Sequence, residues 1–525
     1  MTQAIHKTPL ADRKIVNALV SAALLSCSGH GTCPPNGKMV TGAACNGSDL
    51  QCPYDVASTA CDGTPLVVPS SCSCEGGKWV CPDPGTPDCS SADASTSSSS
   101  GSATGGSGGM VHPVGSLHDS SCPYIFAWNG SAFEYQTDIE GEVIGLPPTA
   151  AVNRGMALFH SSHVKLPTAL FDSNNGLELR LRETLPEASY FDQARLLVVD
   201  HPEGYEVWSS SAESTYEWDY VEPFKIYTTK DPRVAVSAID KNGNDVLAYL
   251  DELDNSPAPI DQQGLDEYIL DFGPIQNPDH VMLLLDAWSK YKVPTTSDLQ
   301  PYVEAMDSSG QWQKLRNFGP TAGDLKTVVV DLSNLLPPGA QLLKVHLGVW
   351  APGRLLLDRI RLDDSAPVDL QTTYLDPTSA ELSYRGTATT TSSTFTSRIV
   401  ALDDENPDDI AEYSYGAFTR YGDVRELLNS ADDRYVIMRH GDQIAITFPG
   451  LTPPEAGWVR SVMLEADVFY KVILDTTVLT QVTPLPFHGM LSYPYTAPQD
   501  YPMDSAHEAY NQSYNTRVYT ASEPN

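Results

Sequence analysis

From Cys122 onward the apolar residues fall in short alternating or continuous runs separated by turn residues, which is the spacing of β-strands. Pro123–Trp128 and Ala132–Thr137 flank Asn129-Gly130, a pair that accepts the positive φ angles of a type I′ hairpin turn. Leu177–Leu181 alternates, Ala194–Val199 is continuous as in a strand buried on both faces, and Val234–Ile239 and Asp245–Leu250 surround Lys241–Asn244. The runs Val281–Leu285, Tyr302–Met306, Lys326–Leu332, Leu343–Val349 and Leu355–Leu362 are β-branched or alternating, and Gly, Pro and Asp punctuate them. Residues 366–525 continue as strands with two short helices, one opening after Asp423 and one at the capping-box pattern Ser505–Glu508.

Before Cys122 the pattern is different. Ile15–Cys27 is a single apolar run, too short to span a bilayer, preceded by His6, Lys7, Arg13 and Lys14. Cys33, Cys45, Cys52, Cys61, Cys72, Cys74, Cys81 and Cys89 then crowd one segment, with Cys122 standing apart. The spacings lack a pair of Cys-x-x-Cys zinc knuckles, so in an exported chain these eight are expected to form four disulfides. Eight cysteines allow about 105 pairings, and the connectivity stays open. Residues 90–121 are Ser- and Gly-rich and are expected to act as a tether, since such a composition cannot offset its ordering entropy by burial.

Leu24-Leu25-Ser26-Cys27 resembles the lipobox of bacterial lipoproteins. The resemblance implies a diacylglyceryl group on the Cys27 thiol, cleavage before it and membrane attachment through the lipid. Cys72–Cys81, with Trp79 inside it, resembles the endings of small extracellular disulfide modules. The order of turns and strands over 271–365 resembles galactose-binding-type jelly rolls. A broader resemblance runs from Ser121–Gly130 through Tyr190–His201, Lys326–Pro338 and Thr419–Arg425 to Pro484–Met490. These segments are similar to a large uncharacterised module of exported bacterial proteins that elsewhere follows FG-GAP-type or tetratricopeptide repeats, and it implies no assigned activity.

The expected fold is therefore mainly β and multidomain, a small disulfide-rich module tethered to a large β-sandwich-containing region with few short helices. The expected order is a leader at 1–26, an anchor segment at 27–32, the disulfide-rich module at 33–89 and the linker at 90–121. A β-rich domain at 122–270, a jelly-roll-like sandwich at 271–365 and a β-rich C-terminal region at 366–525 follow. A length of 525 residues is enough for several cores.

Charge narrows the partners. With 67 acidic and 32 basic residues the net charge is −35, which repels nucleic-acid phosphates and anionic lipid. Carboxylates are available for calcium, yet no motif commits them. Asp240, Asn242 and Asn244 have ligand spacing, but their glycine comes too early for an EF-hand loop and no distal Glu completes it. Asp403–Asp409 reads as a solvated acidic loop. His160 and His163 would point to opposite faces of a strand, and no third ligand is identifiable. Arg439-His440-Gly441 resembles the motif of histidine phosphatases but lacks the large α/β domain that chemistry needs, which leaves a turn before Gln443–Phe448. Ser107 in Gly105–Gly109 matches a nucleophile elbow without the strand and helix that hold one.

No catalytic residue or cofactor is identified, and the expectation is a surface lipoprotein acting by binding. Trp288, Tyr302, Trp312 and Trp350 are candidate sugar-stacking residues, with core packing the competing role. A polysaccharide or an envelope protein is the expected partner. The alternatives are an exported glycan-acting hydrolase using Asp and Glu pairs, or a structural or adhesion protein of the envelope.

Because stable membrane anchoring takes more than one acyl chain, Cys27→Ala should move the protein out of the membrane fraction. Mass spectrometry finding unmodified Cys27 inside the mature chain would overturn the anchor.

Overall fold

The computed structural model describes residues 123–144, 161–184, 187–210, 224–260, 266–290, 300–319, 323–350, 353–388, 405–406, 414–472 and 479–521, with the backbone of three strands nearer the amino terminus. Cys27, Cys33, Cys45, Cys61, Cys81, Cys89 and Cys122 lie outside the described residues, as do the leader, residues 90–121 and most of Asp403–Asp409. The chain divides into two compact units, Met1–Gly105 and Gly106–Asn525.

In the first unit, Gln51–Thr59 pairs antiparallel with Pro65–Glu75, which pairs in turn with Lys78–Val80. The register sets Cys52 opposite Cys72 and Cys74 opposite Trp79. What is described there is the backbone of a three-stranded antiparallel meander, and five of the eight clustered cysteines lie outside it.

The second unit is mainly β, almost all of it antiparallel, with one α-helix among the described residues. Two pairs of sheets each enclose a core. In the first pair, one six-stranded sheet is built around Glu187–Pro202 and Trp458–Val472, and the other runs Gly422–Asp423, Ser379–Tyr384, Asp442–Phe448, Leu177–Arg182, Tyr124–Trp128, Phe133–Asp138. Leu179, Ile444 and Phe448 of one sheet meet Phe191, Val462 and Leu464 of the other. The segment between these two sets of strands forms the second pair of sheets. Gly353–Asp363, Met282–Lys290 and Lys326–Asp331 face a sheet ordered Ser237–Asp240, Glu267–Asp271, Leu342–His346, Tyr302–Met306, Trp312–Asn317. Leu283, Leu285 and Ile360 pack there on Tyr268, Val303 and Val345.

The continuous run Leu196-Leu-Val-Val199 has its reason in this arrangement. Leu196 and Val198 enter the core between the sheets, while Leu197 and Val199 meet Val207 and Met463 on the opposite face. Both faces are dry, so no polar alternation survives. The two-stranded ribbon of Glu206–Ser209 and Ile226–Thr229 uses strand alternation differently. Val207 faces the long strands, whereas Trp208 and Tyr227 pack on Leu284 and Val329 of the inserted sandwich.

Local chemistry departs from the sequence expectation at three places. The Asn129-Gly130 hairpin forms, but its loop spans four residues, and only Gly130 has positive φ, at 98°. Asn129 acts through its side chain, whose Oδ1 accepts from the N–H groups of Ser131 and Ala132. Asp245–Leu250 is not a strand, because Leu247–Tyr249 closes a 3-10 turn. The C-terminal helix Ser505–Ser513 is capped by Asp504, whose carboxylate accepts from Ala506 and His507 N–H, so the capping-box Ser505 lies inside the helix.

Arg439–Asp442 is a turn, as its spacing suggested, though it joins the two facing sheets rather than closing a hairpin in one. Gly441 has φ 85°, and a Cβ there would sit 2.4 Å from the Tyr384 ring, so both backbone and space require glycine. Among the described residues no helix is long and apolar enough to cross a membrane.

The two sandwiches are joined by a buried ion pair. Lys326 Nζ lies 2.5 Å from Asp138 Oδ1 and 3.2 Å from Glu140 Oε1, with the Asp138 side chain 0 % exposed. Burial lowers the Lys326 pKa, and the two carboxylates more than reverse it, so its net shift is upward. Lys326→Met should destabilise the protein by about 3–5 kcal/mol in urea unfolding, because Asp138 is left buried without its cation.

Candidate functional site

Two places in the second unit bring chemistry-bearing side chains together. The first is the outer face of the five-stranded sheet in the inserted sandwich. On Tyr302–Met306, Val303 and Ala305 enter the core, so Tyr302, Glu304 and Met306 point away from it. Register places Trp312 opposite Met306, Lys314 opposite Glu304, and His346 opposite Tyr302. The Asp307–Gln311 turn fixes this hairpin, since Asp307 Oδ1 accepts from the N–H groups of Ser309 and Gln311. The Ser309 hydroxyl, 2.6 Å from the same oxygen, and then those N–H groups hold the Asp307 carboxyl down at about 2.

A chain of charges ties the face together. His346 Nε2 is 2.8 Å from Glu304 Oε2, and its ring stacks on Tyr302 at 4.0 Å. Lys344 Nζ is 3.6 Å from Glu304 and 4.3 Å from the centre of the Trp312 ring, and Lys314 Nζ is 4.3 Å from that of Tyr302. Each is close enough for a cation–π contact. Tyr302 and Trp312 are half-buried, and their cross-strand rows lie about 13 Å apart along the sheet.

The other two aromatic candidates are placed differently. Trp288 is 4 % exposed and packs with Leu325 and Leu356, so it offers no ring face to a ligand. It points away from the inter-sheet core, as alternation implies, but is covered there. The strand Val349–Trp350 pairs with Gly353–Asp363, and the Trp350 side chain lies outside the described residues.

The second place was not read from the sequence. Asp192, Asp433 and His488 each present a ligand atom, all within 4.8 Å of one another. Strand alternation breaks at Asp192: Asp467 pairs with Gln193 and Val468 with Phe191, leaving Asp192 as the extra residue of a β-bulge. Asp433 adopts φ 66° in the turn before Val436–Arg439. Its N–H donates to Asp192 Oδ2 at 2.8 Å, while its Oδ1 accepts from the Tyr435 hydroxyl and the His488 N–H, both at 2.8 Å. His488 arrives from the segment that covers the outer face of the long-strand sheet, where Phe487, Met490 and Tyr493 pack on Tyr190 and Phe469.

Burial pushes the Asp192 carboxyl up to about 7 against the Asp433 N–H and the His488 ring, and it pushes Asp467 up as well. Asp433 goes the other way, because the donors around it outweigh its burial. Asp192 and Asp467 side chains are 1 % and 4 % exposed, which admits a proton or an ion but not a sugar ring. Two residues from Asp467, Glu465 is held by Arg195 at 2.5 Å and lies 3.5 Å from His163. His163 also stacks on Phe224, and His160 is outside the described residues. Asp240 accepts from the Asn242 and Asn244 N–H groups and from the Asn244 amide, so this trio forms a turn.

No family model matches this chain, and no curated protein matches it. Among solved structures it shows a likeness to the CBM22-1 xylan-binding domain from Paenibacillus barcinonensis Xyn10C. That match has 14 % identity and a TM-score of 0.14, and covers 35 % of this chain and 97 % of the domain. A superposition this loose transfers neither fold nor ligand.

The aromatic pair on the sandwich provides a stability test. Trp288→Ala should cost about 3–5 kcal/mol, as for a buried tryptophan. Trp312→Ala should cost less than about 2 kcal/mol, because its side chain is only partly buried. Denaturant unfolding of both variants measures the difference.

Proposed function

We propose that this is an exported, lipid-anchored binding protein whose inserted sandwich holds a polysaccharide on the outer face of its five-stranded sheet. The observation that carries the reading is the partly exposed Trp312 on one face with Glu304, Lys314, Lys344 and His346, where the Tyr302 ring, stacked on His346 with Lys314 over it, holds those charged groups in place. Sugars need both surfaces: a ring to stack their C–H faces on, and charged or amide groups to take their hydroxyls. The net charge of −35 favours a neutral glycan, since an anionic one would be repelled over the whole surface. Binding is preferred to hydrolysis because the carboxylates with raised pKa among the described residues, Glu187, Asp192, Asp358, Asp442 and Asp467, are all buried and too enclosed to reach a glycosidic bond.

Affinity electrophoresis in gels containing β-glucan, with sedimentation on cellulose and chitin, tests this. The wild-type chain should be retarded or pelleted on at least one of the three. Trp312→Ala should lose at least tenfold of that affinity with little change in unfolding. Absence of retention on every glycan, or equal retention of both proteins, would refute the proposal.

A further inference from the structure

The bulge at Asp192 gathers more acid than the surrounding protein neutralises. Asp192 Oδ2 is 3.3 Å from His488 Nδ1, and Asp433 Oδ1 is 2.6 Å from the same nitrogen. On the other side of the ring, Asp467 Oδ2 lies 3.9 Å from Nε2. Three carboxylates thus surround one imidazole. Among the described residues no Lys or Arg lies at ion-pair distance from Asp192 or Asp467, in contrast to Glu465 with Arg195. Moreover, Asp192 Oδ1 is buried and meets no hydrogen-bond donor. A buried carboxylate oxygen without a donor is costly in any fold, and a cation is one of the few groups that can remove that cost.

We propose that Asp192, Asp433 and His488 Nδ1 bind a divalent metal ion of the zinc class, with Asp467 holding the far side of the imidazole. The donor set is one nitrogen and two carboxylates, which suits zinc better than calcium, whose sites are built from oxygen alone. Zinc ligands at about 2.0–2.1 Å and tetrahedral angles lie about 3.3 Å apart, close to the Asp192–His488 separation. The shorter Asp433–His488 contact, 2.6 Å, would open by about 0.7 Å to reach that ligand separation as the ion replaces the Nδ1 proton. Asp467 then occupies the position from which a carboxylate usually orients a metal-bound histidine by accepting its other N–H.

The three ligands come from three separate elements: the bulge of a long strand, the turn before Val436, and the C-terminal covering segment. The ion therefore acts as a clamp that holds this segment onto the sheet, and its role is structural. It is independent of glycan binding on the inserted sandwich.

The test uses the intact chain, stripped with EDTA and then titrated with zinc. Wild type should take up one more equivalent of zinc than either Asp192→Asn or His488→Ala, as measured by elemental analysis after desalting. This difference also sets aside any zinc held by cysteines, which both variants retain. Zinc should raise the melting temperature of stripped wild type by several degrees and leave stripped Asp192→Asn unmoved. Asp192→Asn keeps the side-chain shape, so it guards against mere misfolding of His488→Ala. Equal zinc content in wild type and Asp192→Asn, or a wild-type melt indifferent to both EDTA and zinc, would overturn the site.

Discussion

The second unit depends on one strand pair. Glu187–Pro202 and Trp458–Val472 are antiparallel along nearly their whole length, although some 260 residues separate the paired positions in sequence. Both strands present apolar side chains on both faces. A sheet of that kind cannot face water on either side, so every neighbouring element is obliged to cover it. The second six-stranded sheet covers one face. On the other, the Val207 ribbon covers one end, and the segment carrying Phe487, Met490 and Tyr493 covers the other. The C-terminal segment is therefore part of the core and not an appendage.

This requirement also explains how a whole sandwich can sit between the two halves of another. Strand Glu206–Ser209 leaves the long-strand sheet, and Gln371–Leu375 rejoins it beside Glu187–Pro202. Between these points the chain builds a separate core. The junction uses both kinds of force. Trp208 and Tyr227 give apolar contact, while Asp138 and Lys326 form a buried ion pair that fixes geometry more than it adds stability. Tyr135 donates to Asp324 and the Asp324 N–H meets Asp138, so no member of this group stands alone.

Short-range pattern exposed the strands well, and long-range pairing poorly. Tyr302–Met306 and Leu177–Arg182 lie where alternation puts them, because one face of each meets a core and the other does not. Mainly β structure followed from the same signal. The partner of a strand buried on both faces is another matter: Leu196–Val199 carries no mark of which distant segment it will meet. Trp288 and Trp312 were alike in sequence, each on a strand face turned away from the core. Packing by Leu325 and Leu356 buries one, and no local rule reveals that cover. The cluster at Asp192 was hidden for a similar reason. A bulge is a mismatch between two strands, so it exists only once Asp467 and Gln193 are known to be opposite each other.

The acidic surplus of this chain acquires meaning from what stands beside each carboxylate. Where an aspartate is buried with a cation, as Asp138 is with Lys326, Asp286 with Arg359 and Asp442 with Arg517, its charge is spent on geometry. Exposed Asp307 and Asp240 spend theirs on the N–H groups of their own turns. Asp192 and Asp467 have neither arrangement. They keep carboxyl groups in a place where burial resists ionisation, around a histidine that reaches them only when the C-terminal segment is docked. A fold that needed only hydrophobic closure there could have used apolar residues, as the Phe469 side of the same strand does. Retaining three carboxylates against one imidazole makes sense if docking of that segment is completed by a positive charge beyond the single one that His488 can carry.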